Sequence, residues 1–399
     1  MDKFCAVTGS LVPIGLVVGN VGFEAVIGIV GLGWLIRCVL IRENPFRQLL
    51  KHPLVIPWMV WFACIVLSLV FNGPGSKGWA HDIVFIRYVL FGLALLDISK
   101  RLPVAKYVLY GLAAGVIWAA LNTISAYVLG YDFIGKPLTR YTAKLKEASR
   151  IAGMTAYAAA FFLAWGLLDD KLSTKSKTMI IGIGLIAFIQ LFQTQVRTAV
   201  IASAAGAFFC VIFFIRQRKS LWVAVTFLAG VLLAVGLFFH FGRAWDLISF
   251  YDRIYYWKVA WYMWLDNPFF GVGISSFQDA YKEMALSGKV AEFIAPDGSV
   301  FKLSEVTHAH NLLLMLAAST GLLGMASFCW LLINSVRTIF NKLYGFCLGL
   351  TTWPVVFLVI GLTGFNIYHS WYQALLAFWL VLIGSNSAAS IKNQFSDLL

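Results

Sequence analysis

Apolar runs of membrane-spanning length recur along the whole chain, and no other feature narrows its fold so far. Twelve can be placed, at 4–21, 23–41, 54–71, 83–98, 104–129, 153–169, 178–194, 198–215, 221–241, 311–335, 343–364 and 370–387. A helix needs roughly 20 mostly apolar residues to cross the hydrocarbon layer, where the backbone must satisfy its own hydrogen bonds. No alternation of period two is present, which argues against a β-barrel. Only 12% of the 399 residues are charged, about half the share of a soluble domain. The expected fold is all-α: a polytopic membrane protein of about 12 transmembrane helices, with 1–399 as a single integral membrane domain. The first run lacks a strong basic start and an obvious small-residue cleavage site, so it is expected to remain as the first helix.

The distribution of Lys and Arg orients such a protein. With twelve crossings the loops alternate sides. One side takes 17 of the 31 basic residues and only six of the 18 acidic ones. That side includes both ends of the chain, so both termini are expected in the cytoplasm. The net charge of +13 is therefore a topology signal. It is scattered over short loops, with no patch suited to nucleic acid. All six cysteines lie in or beside apolar runs, so neither a disulfide framework nor a cysteine metal site is indicated.

Two loops on the expected outer side are long. One covers about 130–152, and the other covers 242–310, between the ninth and tenth runs. A loop of the second length is usually functional. Its residues 253–264 read RIYYWKVAWYMW, with Tyr256, Ala260 and Trp264 on one helical face and Arg253, Trp257 and Trp261 on another. An aromatic helix of this kind suits the headgroup layer. Asn267-Pro268 should end it, Gly271-Val272-Gly273 should be a flexible connection, and Asp297-Gly298 reads as a turn.

Polar groups at membrane depth are costly and need a reason. Thr307-His308-Ala309-His310-Asn311 leads into the tenth run, and an imidazole there can take a proton near neutral pH. His308 is the better candidate for a structural hydrogen bond. No Asp, Glu or Cys cluster completes a metal site around the pair, so no metal is expected. His369 lies near the outer end of the last run, where lining a cavity and capping a helix are equally open readings. Four arginines, Arg87, Arg150, Arg197 and Arg253, lie on the outer side near apolar runs. Any one could snorkel to the headgroups. Arg197, in the short polar break Thr194-Gln195-Val196-Arg197, is hardest to read that way. Several together would suit a lipid phosphate or pyrophosphate, because the guanidinium fork matches phosphate oxygens.

Three patches resemble a known family. His310-Asn311, nine residues, then Gly321-Leu322-Leu323-Gly324 resembles the H-[NSQ]-x9-G-x-x-G motif of bacterial O-antigen ligases. The Thr194–Arg197 stretch is similar to that family's TQ-x-R. Asp252-Arg253-Ile254 with Trp257, then Asn267-Pro268 and Gly271-Val272-Gly273, is similar to the long outer loop of the wider ligase and polymerase superfamily. The resemblance implies a GT-C-like membrane glycosyltransferase with a large, partly helical periplasmic loop. It would sit in the bacterial inner membrane and act at the periplasmic face. It would move polysaccharide from undecaprenyl pyrophosphate to a sugar of the lipid A-core. It also implies His310, Arg197 and Arg253 as the catalytic residues. Arg87 and Arg150, from charge placement, and His308 and Asn311 are added as substrate-binding candidates.

On this reading the donor is already activated, and the arginines supply the charge stabilisation that a divalent metal gives elsewhere. No cofactor is expected, and direct attack by the acceptor would invert the anomeric centre. Two alternatives remain. One is an O-antigen polymerase extending lipid-linked glycan. The other is a transporter or flippase of lipid-linked sugars, binding without chemistry. Unusual residues gathered on one membrane face favour an enzyme over a transporter.

Overall fold

A computed structural model of the chain describes residues 1–42, 44–73, 75, 78–133, 135, 146–194, 196–216, 236, 248–290, 307–343, 345–364 and 366–385. Among them the regular elements are helices, with no β-strand. The N-terminal half holds Asp2–Gly9 (α1), Val12–Val18 (α2), Asn20–Leu40 (α3), Phe46–Leu49 (α4), Val55–Asn72 (α5), Gly78–Ile83 (α6), Ile86–Ile98 (α7) and Val104–Leu129 (α8). Lys146–Leu168 (α9), Thr174–Thr194 (α10) and Arg197–Arg216 (α11) follow. Ile248–Asp266 (α12) and Phe277–Leu286 (α13) lie within the long loop. Leu312–Phe340 (α14), Cys347–Leu350 (α15), Trp353–Thr363 (α16) and Ser370–Gly384 (α17) complete the series. The run expected at 221–241 apart from position 236, the turn at Asp297-Gly298, and residues 134 and 136–145 of the 130–152 loop fall outside the described residues.

Among the described residues, six helices are long and apolar enough to cross a membrane: α3, α5, α8, Ala148–Leu168 of α9, α10 and α14. Shorter apolar helices accompany them at Arg197–Cys210, Cys347–Leu362 and Ser370–Gly384. Some expected runs are broken into pieces. The run at 4–21 is two helices joined at Ser10-Leu11. The run at 343–364 splits ahead of Pro354, which lies in the first turn of α16. There its missing N–H is harmless, whereas it could not continue a preceding helix.

The core forms around α17, where every residue from Trp371 to Gly384 is buried. A helix that is apolar all round belongs in the centre, and α17 packs against α3, α7, α8, α9 and α14. The α9 span is buried over 89% of its apolar window, against 28% for α3 and for α10, which therefore present most of their surface to lipid. The hydroxyls of Tyr157 and Tyr372 meet at 3.1 Å within this core, so each satisfies the other away from water.

The helices α3 and α7 are tied at both ends by charge. At one end Arg87 forks onto Glu24, with Nε to Oε2 at 2.6 Å and Nη2 to Oε1 at 2.8 Å, and Tyr88 Oη donates to the same carboxylate at 2.7 Å. At the other end Asp97 is buried. It accepts from Arg101 at 2.8 Å and from Trp34 Nε1 at 3.1 Å, with Arg37 and Lys100 each at 3.8 Å. Arg37 and Arg101 also reach Asp2, which fastens α1 to the cluster.

The tenth expected run is not one straight helix. Within α14, Gly321 has φ 66° and ψ −166°, and the helix is broken there. The segment 268–273 fills the break with its backbone. Leu322 N donates to Pro268 O at 2.8 Å, Val272 N to Ala318 O at 2.7 Å and Gly273 N to Ser319 O at 2.9 Å. Ser68 Oγ adds a donor to Ser319 O at 2.9 Å. Freed backbone groups at membrane depth must be met in this way. A Cβ on Gly321 would lie 2.2 Å from the carbonyl of Phe269, and one on Gly271, at φ +64°, would lie 2.4 Å from the Ser319 carbonyl carbon. The Gly271-Val272-Gly273 stretch, expected as a flexible connection, is thus a docked strap, held because the broken helix needs its amides.

Candidate active site

The nine residues between Asn311 and Gly321 form the part of α14 before its break, a rise of about 14 Å at roughly 1.5 Å per residue. Asn311 starts it. The Asn311 Oδ1 accepts from Leu314 N at 3.1 Å, and its Nδ2 donates to Leu362 O at 3.3 Å. This is an N-cap with a second tie to the end of α16. Its amide is therefore engaged in holding the segment, and the histidines just before it inherit that fixed position.

Ala309 is fully buried, while His308 and His310 on either side are half-buried. The two imidazoles face each other with ring centroids 3.9 Å apart. His310 has φ 50°, a left-handed conformation shared among the described non-glycine residues only by Arg42. Such strain persists only where the surroundings enforce it, and it gathers at functional sites. The enforcing contacts are visible. His310 Nδ1 lies 3.0 Å from the carbonyl of Gly364. A carbonyl can only accept, so Nδ1 carries the hydrogen and Nε2 keeps its lone pair. Tyr256 of α12 stacks on the ring at 5.7 Å.

Arg253 lies one turn before Tyr256 on α12 and acts on the same imidazole. Burial holds His310 below its ordinary value of 6.5 and the Arg253 charge lowers it further, while the bond to Gly364 opposes them. Burial also lowers Arg253, and the neighbouring Arg197 charge adds to this, against the carboxylate of Asp252. His310, Arg253 and Arg197 therefore form one electrostatic group, assembled from the starts of α14, α12 and α11. The sequence split Arg253 and Tyr256 between two helical faces. In the fold both act on His310, Tyr256 by stacking and Arg253 by its charge, because residues three apart on a helix are neighbours.

His308 connects this group to a cavity. Its Nδ1 lies 2.8 Å from Thr307 Oγ1, and its ring lies 5.3 Å from that of His369. Burial pushes His308 well below 6.5, reinforced by His310 and His369. The cavity, about 530 Å³, is walled by residues from 84–87, 274–278, 307–308 and 366–370, including Arg87, Gln278, His308 and His369. His369 precedes α17 and makes no side-chain cap. Of its two readings, the cavity wall is the one realised.

Arg87 and Arg150 are placed differently from Arg197 and Arg253. Arg87 lines the cavity, but its charge is met by Glu24. Arg150 is buried at the start of α9, where Nη1 meets Asn20 Oδ1 at 2.5 Å. Sequence reasoning missed Gly364, Tyr256 as a ring partner, Gln278 and Ser275. A backbone carbonyl leaves no side-chain signature, so Gly364 was unreadable. Glu24 was readable in principle, as a lone acid in an apolar run. Among the described residues no three His, Cys, Asp or Glu side chains are grouped to hold a metal ion.

The site can hold an anion against two guanidinium groups and accept a proton at a fixed imidazole nitrogen. The chain is a multi-pass helical membrane protein whose two arginines and an oriented imidazole form one group. The comparison with known families is more specific. The O-antigen ligase family model matches residues 182–329. The matched stretch contains Arg197, Arg253, His308, His310, Gly321 and Gly324, while Arg87, Arg150 and His369 lie outside it. No curated protein matches the chain.

Proposed function

We propose that this protein is an O-antigen ligase, transferring polysaccharide from undecaprenyl pyrophosphate to the lipid A-core at the periplasmic face of the inner membrane. The broader statement, a membrane glycosyltransferase of the ligase and polymerase type, is supported by the family match over residues 182–329. The observation that carries the finer one is His310: strained, with Nδ1–H committed to Gly364 and Nε2 available beside Arg253.

In the proposed reaction an acceptor hydroxyl attacks the anomeric carbon of the donor. The new glycosidic C–O bond forms as the bond from that carbon to the pyrophosphate oxygen breaks. The bonding pair leaves with the pyrophosphate, whose charge Arg197 and Arg253 stabilise. The hydroxyl proton passes to His310 Nε2, which is neutral near pH 7 because its affinity for a proton is lowered. Attack opposite the leaving group inverts the anomeric centre. No metal is assigned, because the arginines take the charge-stabilising role that a divalent ion otherwise fills.

Reconstitution of the full chain with purified lipid-linked glycan and lipid A-core tests this directly. Glycan attached to the core, unaffected by a chelator, is the expected product. Longer lipid-linked glycan without attachment would instead identify a polymerase, and transport without new glycosidic bonds a flippase.

A further inference from the structure

The cavity beyond His308 is outside the arginine cluster, and its chemistry differs. The Arg87 guanidinium on its wall is already forked onto Glu24. The Asp82 carboxylate behind it accepts from Ser275 Oγ at 3.0 Å. The remaining polar lining comes from hydroxyl, amide and imidazole groups, among them Ser275, Gln278, Thr307 and His369, interleaved with Phe85 and Phe277. Neutral hydrogen-bonding groups set beside aromatic rings suit a molecule with hydroxyls on its edges and a C–H face, which describes a pyranose. The volume of about 530 Å³ falls within the usual range for small-molecule sites, about 300–1,000 Å³.

Resting on the ligase reading, we propose that this cavity is the acceptor-sugar subsite, that it takes an uncharged pyranose, and that the His308–His310 pair forms the wall between acceptor and donor. The donor's pyrophosphate then lies on the Arg197 and Arg253 side. The charge arrangement sorts the two substrates, since the cavity offers no uncommitted counter-ion in the Arg87–Glu24 pair for a phosphorylated sugar. His308 is a positioning residue here: bonded to Thr307 and packed on His310, it sets the edge across which the acceptor hydroxyl must reach Nε2.

The test uses the full-length protein in lipid nanodiscs and two readouts. Saturation-transfer NMR with methyl hexopyranosides and their 6-phosphates reports binding without requiring catalysis. Wild-type protein should saturate the uncharged glycosides and leave the phosphates untouched. Gln278→Trp, which fills the cavity from the first turn of α13, should abolish the signal; Ser370→Tyr, entering from α17, is the second variant should the first fold poorly. In the transfer assay either variant should raise the acceptor KM about tenfold or more, equivalent to losing roughly 1.4 kcal/mol of binding, with donor KM unchanged. Absence of glycoside binding to wild type, binding undiminished in both variants, or equal binding of the phosphates would overturn the proposal. Glycoside binding lost in the variants, from a protein that transfers nothing, would uphold the sugar site while removing the ligase reading.

Discussion

The Asp97 network at one end of the α3–α7 pair and the histidine site handle charge in different ways. At the Asp97 end, an acid buried to 1% exposure is surrounded by Arg37, Lys100 and Arg101, with Asp2 completing the set. Every cation there faces a carboxylate, and the backbone is ordinary helix. Toward the other end of the bundle lies the histidine site, where burial and the nearby Arg197 charge disfavour the charged form of Arg253, against the carboxylate of Asp252, and His310 is held in a left-handed conformation. Neutralised charge on relaxed backbone is what structure requires. Like charges gathered beside a strained imidazole are disfavoured for the empty protein and become favourable when an anion arrives. The first region should therefore govern stability and the second should govern rate.

The largest expected effect lies in the second region. His310→Ala should reduce transfer by about 10²–10⁴-fold, the usual contribution of a positioned base. Melting temperature and donor binding should change little, because relieving the φ of 50° offsets the lost bond to Gly364. Transfer at the wild-type rate in reconstituted vesicles would remove His310 from the mechanism.

Next comes the converse experiment. Asp97→Ala strands buried cations and should cost about 3 kcal/mol or more of stability, read as a lower melting temperature in detergent. Per folded molecule, transfer should stay within about twofold of wild type, since distant surface and core changes act through folding. A folded Asp97→Ala protein without activity would mean that the two regions are coupled and the contrast drawn between them is false.

Gly321→Ala probes what supports the site. The added Cβ would meet the Phe269 carbonyl at 2.2 Å, forcing the 268–273 strap out of the broken helix. A loss of about 1–3 kcal/mol is expected from the strained conformation alone. Because the strap follows α12, which carries Arg253 and Tyr256, rate and stability should fall together. Wild-type kinetics in this variant would show that the strap does not position α12.

The reasons some of this was legible in sequence, and some not, are physical. Apolar run length reports membrane burial directly, so Val104–Leu129 was placed to the residue. His310, Arg197 and Arg253 stand out in the sequence because charged and titratable groups beside apolar runs carry an energetic cost, but their selection as catalytic candidates rests on the motif resemblance. The break at Gly321 was not anticipated, although Gly321 had been noted as part of a motif. Composition records that a glycine is present, but not that the chain needs φ +66° there to admit another strand of backbone. Arg87 looked like a phosphate ligand because its partner Glu24 is 63 residues away. Long-range pairing of this kind, like the carbonyl of Gly364 on His310, is set by helix packing and leaves no local mark.

The smallest expected effect is the most discriminating. Burial and the Arg253 charge both hold His310 below 6.5, so the neutral imidazole survives into mildly acid solution. The wild-type rate should hold steady as pH falls from about 8 to 6.5 and decline only below that. Arg253→Ala removes a cation that repels the imidazolium, so the acid limb should move to higher pH. Relative to its own plateau, the variant then loses more activity at about pH 6 than wild type does. Arg253→Lys keeps the charge but loses the planar fork, so it should lower the plateau while leaving the limb in place. Asp97→Ala, remote from the imidazole, should move neither. Single-turnover transfer rates measured across about pH 5–8 distinguish these outcomes. An acid limb unmoved in Arg253→Ala would mean that the arginine does not act on His310 electrostatically, and the histidine site would then lose the property that separates it from the Asp97 network.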